Sequence, residues 1–168
     1  YNNIFKNCES LTSINFGGEG KWDTSEAVYM NSMFEGCSGF TNLNLSKFKT
    51  MKVQSMNQMF KGCSNLKELK LDNFETYNVQ YMDEMFSGCV SLVKLSDISK
   101  WNTENVISIN SAFTNCESLL FLPDISKFLK GKNIDMTNLF PESSSGNYSF
   151  KSSRSSSQIS SENNQNMN

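Results

Sequence analysis

The chain has 168 residues, enough for one ordinary domain, and sets 15 Lys and Arg against 17 Asp and Glu for a net charge of −2. That balance leaves no basic footprint for nucleic acid or for an anionic membrane surface. No apolar run approaches the roughly 18 residues a membrane span needs, and the absence of histidine removes the usual proton shuttle near neutral pH.

The chain opens at Tyr1-Asn2-Asn3-Ile4-Phe5, already inside a repeating pattern, and is therefore read as a piece of a longer protein. Phe5 and Cys8 form the first of five Phe-x-x-Cys pairs. The others are Phe34 with Cys37, Phe60 with Cys63, Phe86 with Cys89, and Phe113 with Cys116. Phe140 keeps the beat, with Ser143 in place of cysteine. Successive phenylalanines lie 29, 26, 26, 27 and 27 residues apart. A period of this size predicts a solenoid, in which each unit covers its apolar face only against its neighbours. The expected class is an α/β solenoid of about five units of 26–29 residues over positions 1–140.

The columns of the repeat follow in order. Twelve residues before each phenylalanine stands a large ring: Trp22, Phe48, Phe74, Trp101 and Phe128. Thr24, Thr50, Thr76 and Thr103 come two places later and are expected to bond their own neighbouring backbone in a turn. An apolar column follows, seven residues before the phenylalanine at Val53, Val79 and Val106 and one place later at Val28 and Ile134. Next come Met30, Met56, Met82, Ile109 and Met136, then Met33, Met59, Met85, Ala112 and Leu139. Met56, Met59, Phe60 and Cys63 follow steps of three, one and three, which predicts a short helix with one buried face. Gly36, Gly62 and Gly88 fall where such a helix could end at positive φ. Leu69-Lys70-Leu71 alternates as a short strand does. Helix, turn and strand thus recur in each unit, with the methionines and cysteines facing the core.

From Pro141 the composition shifts to serine and asparagine. Too little apolar surface remains to offset the ordering entropy, and a disordered tail is expected over 141–168. Asn44-Leu45-Ser46 and Asn147-Tyr148-Ser149 match the N-glycosylation acceptor pattern.

Chemistry is sparse. Gly17-Gly18-Glu19-Gly20 has no following Lys-Ser/Thr, so it is not a phosphate loop. Five cysteines is an odd number, there is no Cys-x-x-Cys pair, and stacked buried thiols have neither a basic partner nor a depressed pKa. Catalytic residues, a metal and a cofactor are all expected to be absent. The readable surface is the outer side of the strand ladder. The candidate partner-binding residues are Asn42, Asn44, Glu68, Lys70, Asp72, Lys94 and Ser96, with Phe121 as an apolar anchor near one end.

The pattern Met56-Asn57-Gln58-Met59-Phe60-Lys61-Gly62-Cys63-Ser64-Asn65-Leu66-Lys67-Glu68-Leu69-Lys70-Leu71, together with Trp22-Asp23-Thr24-Ser25, resembles the BspA-type leucine-rich-repeat family in its longer Mycoplasma-type or protist surface variant. The resemblance runs from Tyr1 to about Phe140. Ala112, Asn115 and Ser143 depart from it in the later units. It implies a right-handed leucine-rich-repeat array with parallel strands on one face and short helices on the other. It also implies a cell-surface or secreted protein that binds a protein or glycan without chemistry, as in adhesion. The expected partner is a protein or glycan ligand, not nucleic acid, and the module itself is expected to be a monomer. The alternative is a structural spacer, or a sensor or scaffold region of a multidomain protein.

Overall fold

A computed structural model of the chain describes residues 1–17, 22–119 and 138–139. Three short strands, β1 (Asn42–Asn44), β2 (Glu68–Lys70) and β3 (Lys94–Leu95), form a parallel sheet in the order β1-β2-β3. The register pairs Asn42 with Glu68 and Glu68 with Lys94, and likewise Leu43 with Leu69 and Leu69 with Leu95. Each strand is therefore one 26-residue repeat away from its neighbour. Alternation sends Leu43 and Leu69 inward while their neighbours face out. A second column of parallel bridges runs elsewhere in the repeat, from Tyr29 through Ser55 and Tyr81 to Ser108.

The expected helix is absent. Among the described residues the one helical element is a single 3-10 turn, Ile98–Lys100, capped by Asp97, whose carboxylate accepts from the Ser99 amide at 3.0 Å. The Met56–Cys63 segment is a run of turns, and its amides show why. Met56, Gln58, Phe60 and Gly62 donate to the carbonyls of Tyr81, Asp83, Met85 and Ser87 in the next copy, at 2.8–2.9 Å. Met59, Lys61 and Cys63 donate locally, each three residues back, and the Asn57 amide donates to the Asn31 side chain of the preceding copy. Every amide is placed, but five of the eight serve an adjacent layer, which an α-helix cannot allow. The backbone bends back by left-handed residues two before and two after each phenylalanine. In the central copy these are Gln58 at φ 58° and Gly62 at φ 71°. The glycine column thus meets a positive-φ demand, as expected, but in a turn rather than at a helix end.

The threonine column also differs from expectation. Thr50 Oγ1 donates to the Glu75 carbonyl at 3.0 Å and accepts from the Glu75 amide at 2.7 Å. Thr24 makes the same pair of bonds with Lys49. The hydroxyls are buried and join one copy to the next rather than closing their own turns. Similarly, Asn2, Asn31, Asn57 and Asp83, each three residues before its phenylalanine, accept through Oδ1 from the backbone amide of the following copy's equivalent residue.

The core is a stack of identical side chains. Phe34, Phe60 and Phe86 lie ring over ring, with centroids 5.8 and 5.7 Å apart and planes within 4°. Phe5 and Phe113 extend the stack at 5.3 and 5.1 Å. The methionines 30, 33, 56, 59, 82 and 85 are all buried, as their columns predict. In the second copy the apolar slot is taken by Ala27, 2% exposed, and Val28 is turned out at 37%. The expectation for Val28 fails because the small Ala27 already fills the slot. Phe128, Ile134, Met136, Phe140 and the serine-rich stretch 141–168 lie outside the described residues.

Candidate binding face on the strand ladder

Four of the five cysteines are buried among the stacked layers. All five are free thiols. Cys63 Sγ donates to the Phe34 carbonyl, Cys89 to Phe60 and Cys116 to Phe86, each at 3.1 Å. Burial pushes Cys37 up to about 11 and Cys63 and Cys116 to about 12, and raises Cys89 well above its ordinary range. A thiol held protonated is a weak nucleophile. Among the described residues no group of His, Cys, Asp or Glu is arranged to hold a metal ion. No helix there is long and apolar enough to cross a membrane.

The strand face brings together five of the eight expected residues. Asn42 and Asn44 on β1, Glu68 and Lys70 on β2, and Lys94 on β3 occupy adjacent outward positions, because parallel register puts equivalent residues side by side. Glu68 is the electrostatic centre. Lys94 Nζ lies 3.0 Å from its carboxylate and Lys70 Nζ 3.8 Å away. The hydrogen bond from Lys94 is the main cause of a lowered Glu68 pKa, so the carboxylate is charged at neutral pH. One row over, Ser13, Ile14 and Leu43 join Asn42, Asn44, Glu68 and Lys70 around a shallow hollow of about 250 Å³. The hollow offers amide donors and acceptors, one ion-paired carboxylate and the Lys70 ammonium group over an aliphatic floor, with Lys94 beside it on the far side of Glu68. It can take a polar segment by hydrogen bonding and charge.

The other three positions do not join it. Ser96 is turned into the ladder, where its Oγ accepts from the Leu71 amide at 2.7 Å. The strand stops at Leu95 in that copy, so the alternation that would aim Ser96 outward has ended. Asp72 is exposed but lines a different and larger hollow, about 970 Å³, beside Phe16, Trp22, Phe48 and Phe74. It follows the strand, where the chain has already turned toward the next ring column. Phe121 lies outside the described residues. Asn44 is partly committed, since its Oδ1 accepts from the Ser46 amide at 3.0 Å.

One exposed column escaped the sequence reading. Tyr29, Ser55, Tyr81 and Ser108 stand side by side on the second ladder, and both tyrosines are open to solvent. Their signal was available as a fixed place one residue before Met30, Met56, Met82 and Ile109.

No curated protein and no solved structure matches the chain. One family model, described as Mycoplasma protein of unknown function, DUF285, matches it twice, over residues 1–116 and 70–167. The overlapping placements are what a repeating sequence permits, since one pattern can be laid on it in more than one register. Between them they span almost the whole length, and the chain belongs to the DUF285 family.

Proposed function

We propose that this chain is a non-catalytic binding module of a cell-surface or secreted protein, built as a right-handed leucine-rich-repeat solenoid of the BspA type. It recognises a protein ligand through the outer side of β1–β3. The observation that carries the reading is the cluster of Glu68 between Lys70 and Lys94 beside two asparagines, on a rigid ladder in fixed register. A backbone already held in register on regular strands loses little freedom on binding, which favours recognition. The ring stack and the thiol and threonine ladders hold layers together, whereas the outer side of the strands is open to a partner.

The test is binding to a panel of purified extracellular proteins, measured by biolayer interferometry at two salt concentrations. For a confirmed binder, Glu68→Lys, Lys70→Glu and Lys94→Glu should slow association and change its salt dependence, as rim charges do. A confirmed binder indifferent to all three reversals would rule out the strand face.

A further inference from the structure

Nine large apolar side chains are exposed among the described residues, and four of them share one strip. Val28, Tyr29, Tyr81 and Ile107 all fall in two neighbouring columns, five and six residues before each phenylalanine. Tyr29 is 48% exposed and Tyr81 38%. Gln54, Gln80, Ser55 and Ser108 complete the two columns. None of the eight residues is charged, whereas the strand face carries Glu68, Lys70 and Lys94. The parallel bridges hold neighbouring residues one layer apart, so the tyrosine backbones stand two layers, about 9.6 Å, from each other.

The backbone beneath is already paired. Gln54, Gln80 and Ile107 donate to the carbonyls of Val28, Gln54 and Gln80, each at 2.8 Å, which leaves no open edge there for strand addition. Ser55 donates to Asn31 Oδ1, and Ser108 to Asp83 Oδ1, so the serines are turned toward the polar ladder. No such internal role accounts for the tyrosines. Among the described residues neither ring meets another aromatic ring, and neither hydroxyl makes a hydrogen bond.

We propose that this strip binds a neutral, extended polysaccharide of β-linked hexoses. Its long axis would run across the layers, with Tyr29 and Tyr81 stacking on alternate sugar rings and the amides of Gln54 and Gln80 bonding their hydroxyls. Three observations converge on that ligand. The strip has no charge, so it suits a ligand without one and gives an anionic polymer nothing to pair with. The exposed faces of the rings match the C–H faces of sugars, while side-chain amides both donate and accept, as hydroxyl groups require. The two aromatic anchors repeat at a fixed interval close to that of two residues in an extended β-linked chain, which fits a periodic polymer. A protein partner instead favours a compact anchor cluster inside a surrounding rim. The strip is separate from the strand face, and neither site depends on the other.

The experiment is affinity electrophoresis of the full chain in native gels containing a soluble β-1,4-glucan, a β-1,4-mannan or heparin, followed by titration with cellohexaose and mannohexaose. The expected result is retardation by at least one neutral glycan and not by heparin. Tyr29→Ala and Tyr81→Ala should each weaken that binding about three- to tenfold, the scale of one stacking contact. Tyr29→Phe should retain it, and Glu68→Lys with Lys94→Glu should leave it unchanged. Both tyrosines are exposed, so unchanged melting of the variants confirms that the fold is intact. Retardation by heparin alone, retardation that survives the double tyrosine variant, or no retardation in either neutral glycan would overturn the proposal.

Discussion

Phe60→Ala is the sharpest test of the stacked core. Phe60 is fully buried, with Phe34 and Phe86 parallel to it at 5.8 and 5.7 Å. Removing the ring withdraws roughly 150–200 Å² of apolar surface, and at about 25 cal/mol per Å² transfer alone amounts to about 4 kcal/mol. The two flanking residues are held by backbone bonds to adjacent copies, Phe34 to Met59 and Phe86 to Ala112, so their rings cannot close the gap. The cost should therefore fall within the range of about 3–5 kcal/mol seen when buried phenylalanines are truncated. For roughly a hundred ordered residues that is a drop of about 12–20 °C in Tm. Differential scanning calorimetry gives the number, and amide exchange should show the loss concentrated in the copies of Phe34, Phe60 and Phe86. The control is Lys61→Ala. It breaks a half-exposed ion pair with Glu84, should cost less than about 1 kcal/mol, and leaves Gln58 Nε2 bonded to that carboxylate at 2.9 Å. Equal shifts for the two variants would refute the ring stack as the source of stability.

Two further outcomes follow from the polar ladders. Thr50→Val keeps the shape of a fully buried side chain but strands both the amide and the carbonyl of Glu75. It should cost about 2–4 kcal/mol in urea unfolding, and Thr50→Ser, which keeps the hydroxyl, should cost markedly less. The thiols predict an alkaline limit. Folding raises their pKa, so their contribution is intact below the unfolded thiol value near 9.0 and is lost as pH rises toward about 12, where Cys63 and Cys116 titrate in the fold. In that window each buried thiol should remove about 1.4 kcal/mol of stability per pH unit. Denaturant melts between pH 8 and 10.5 should show a shallower slope for Cys63→Ala than for the parent chain, and identical slopes would contradict the assignment.

The candidate site was legible in part, for a traceable reason. Asn42, Glu68 and Lys94 stand next to leucines in an alternating run, and alternation does report which side chains face out. Ser96 follows the same alternation on paper, but β3 ends at Leu95 and the hydroxyl is captured by the Leu71 amide. The tyrosine column has a fixed place in the repeat, one residue before Met30, Met56, Met82 and Ile109, but that its rings lie open to solvent is decided only by the fold.

The amino-acid order by itself determined the period, the membership of each column and the burial of Met56, Phe60, Cys63, Leu66 and Leu69, because burial follows from apolar side chains recurring at fixed places. It could not determine where the backbone bonds go. Steps of three, one and three bury the same residues in a helix and in a run of turns. The tertiary structure chose the turns because an adjacent layer accepts the amides of Met56, Gln58, Phe60 and Gly62, and that layer lies a whole repeat away along the chain.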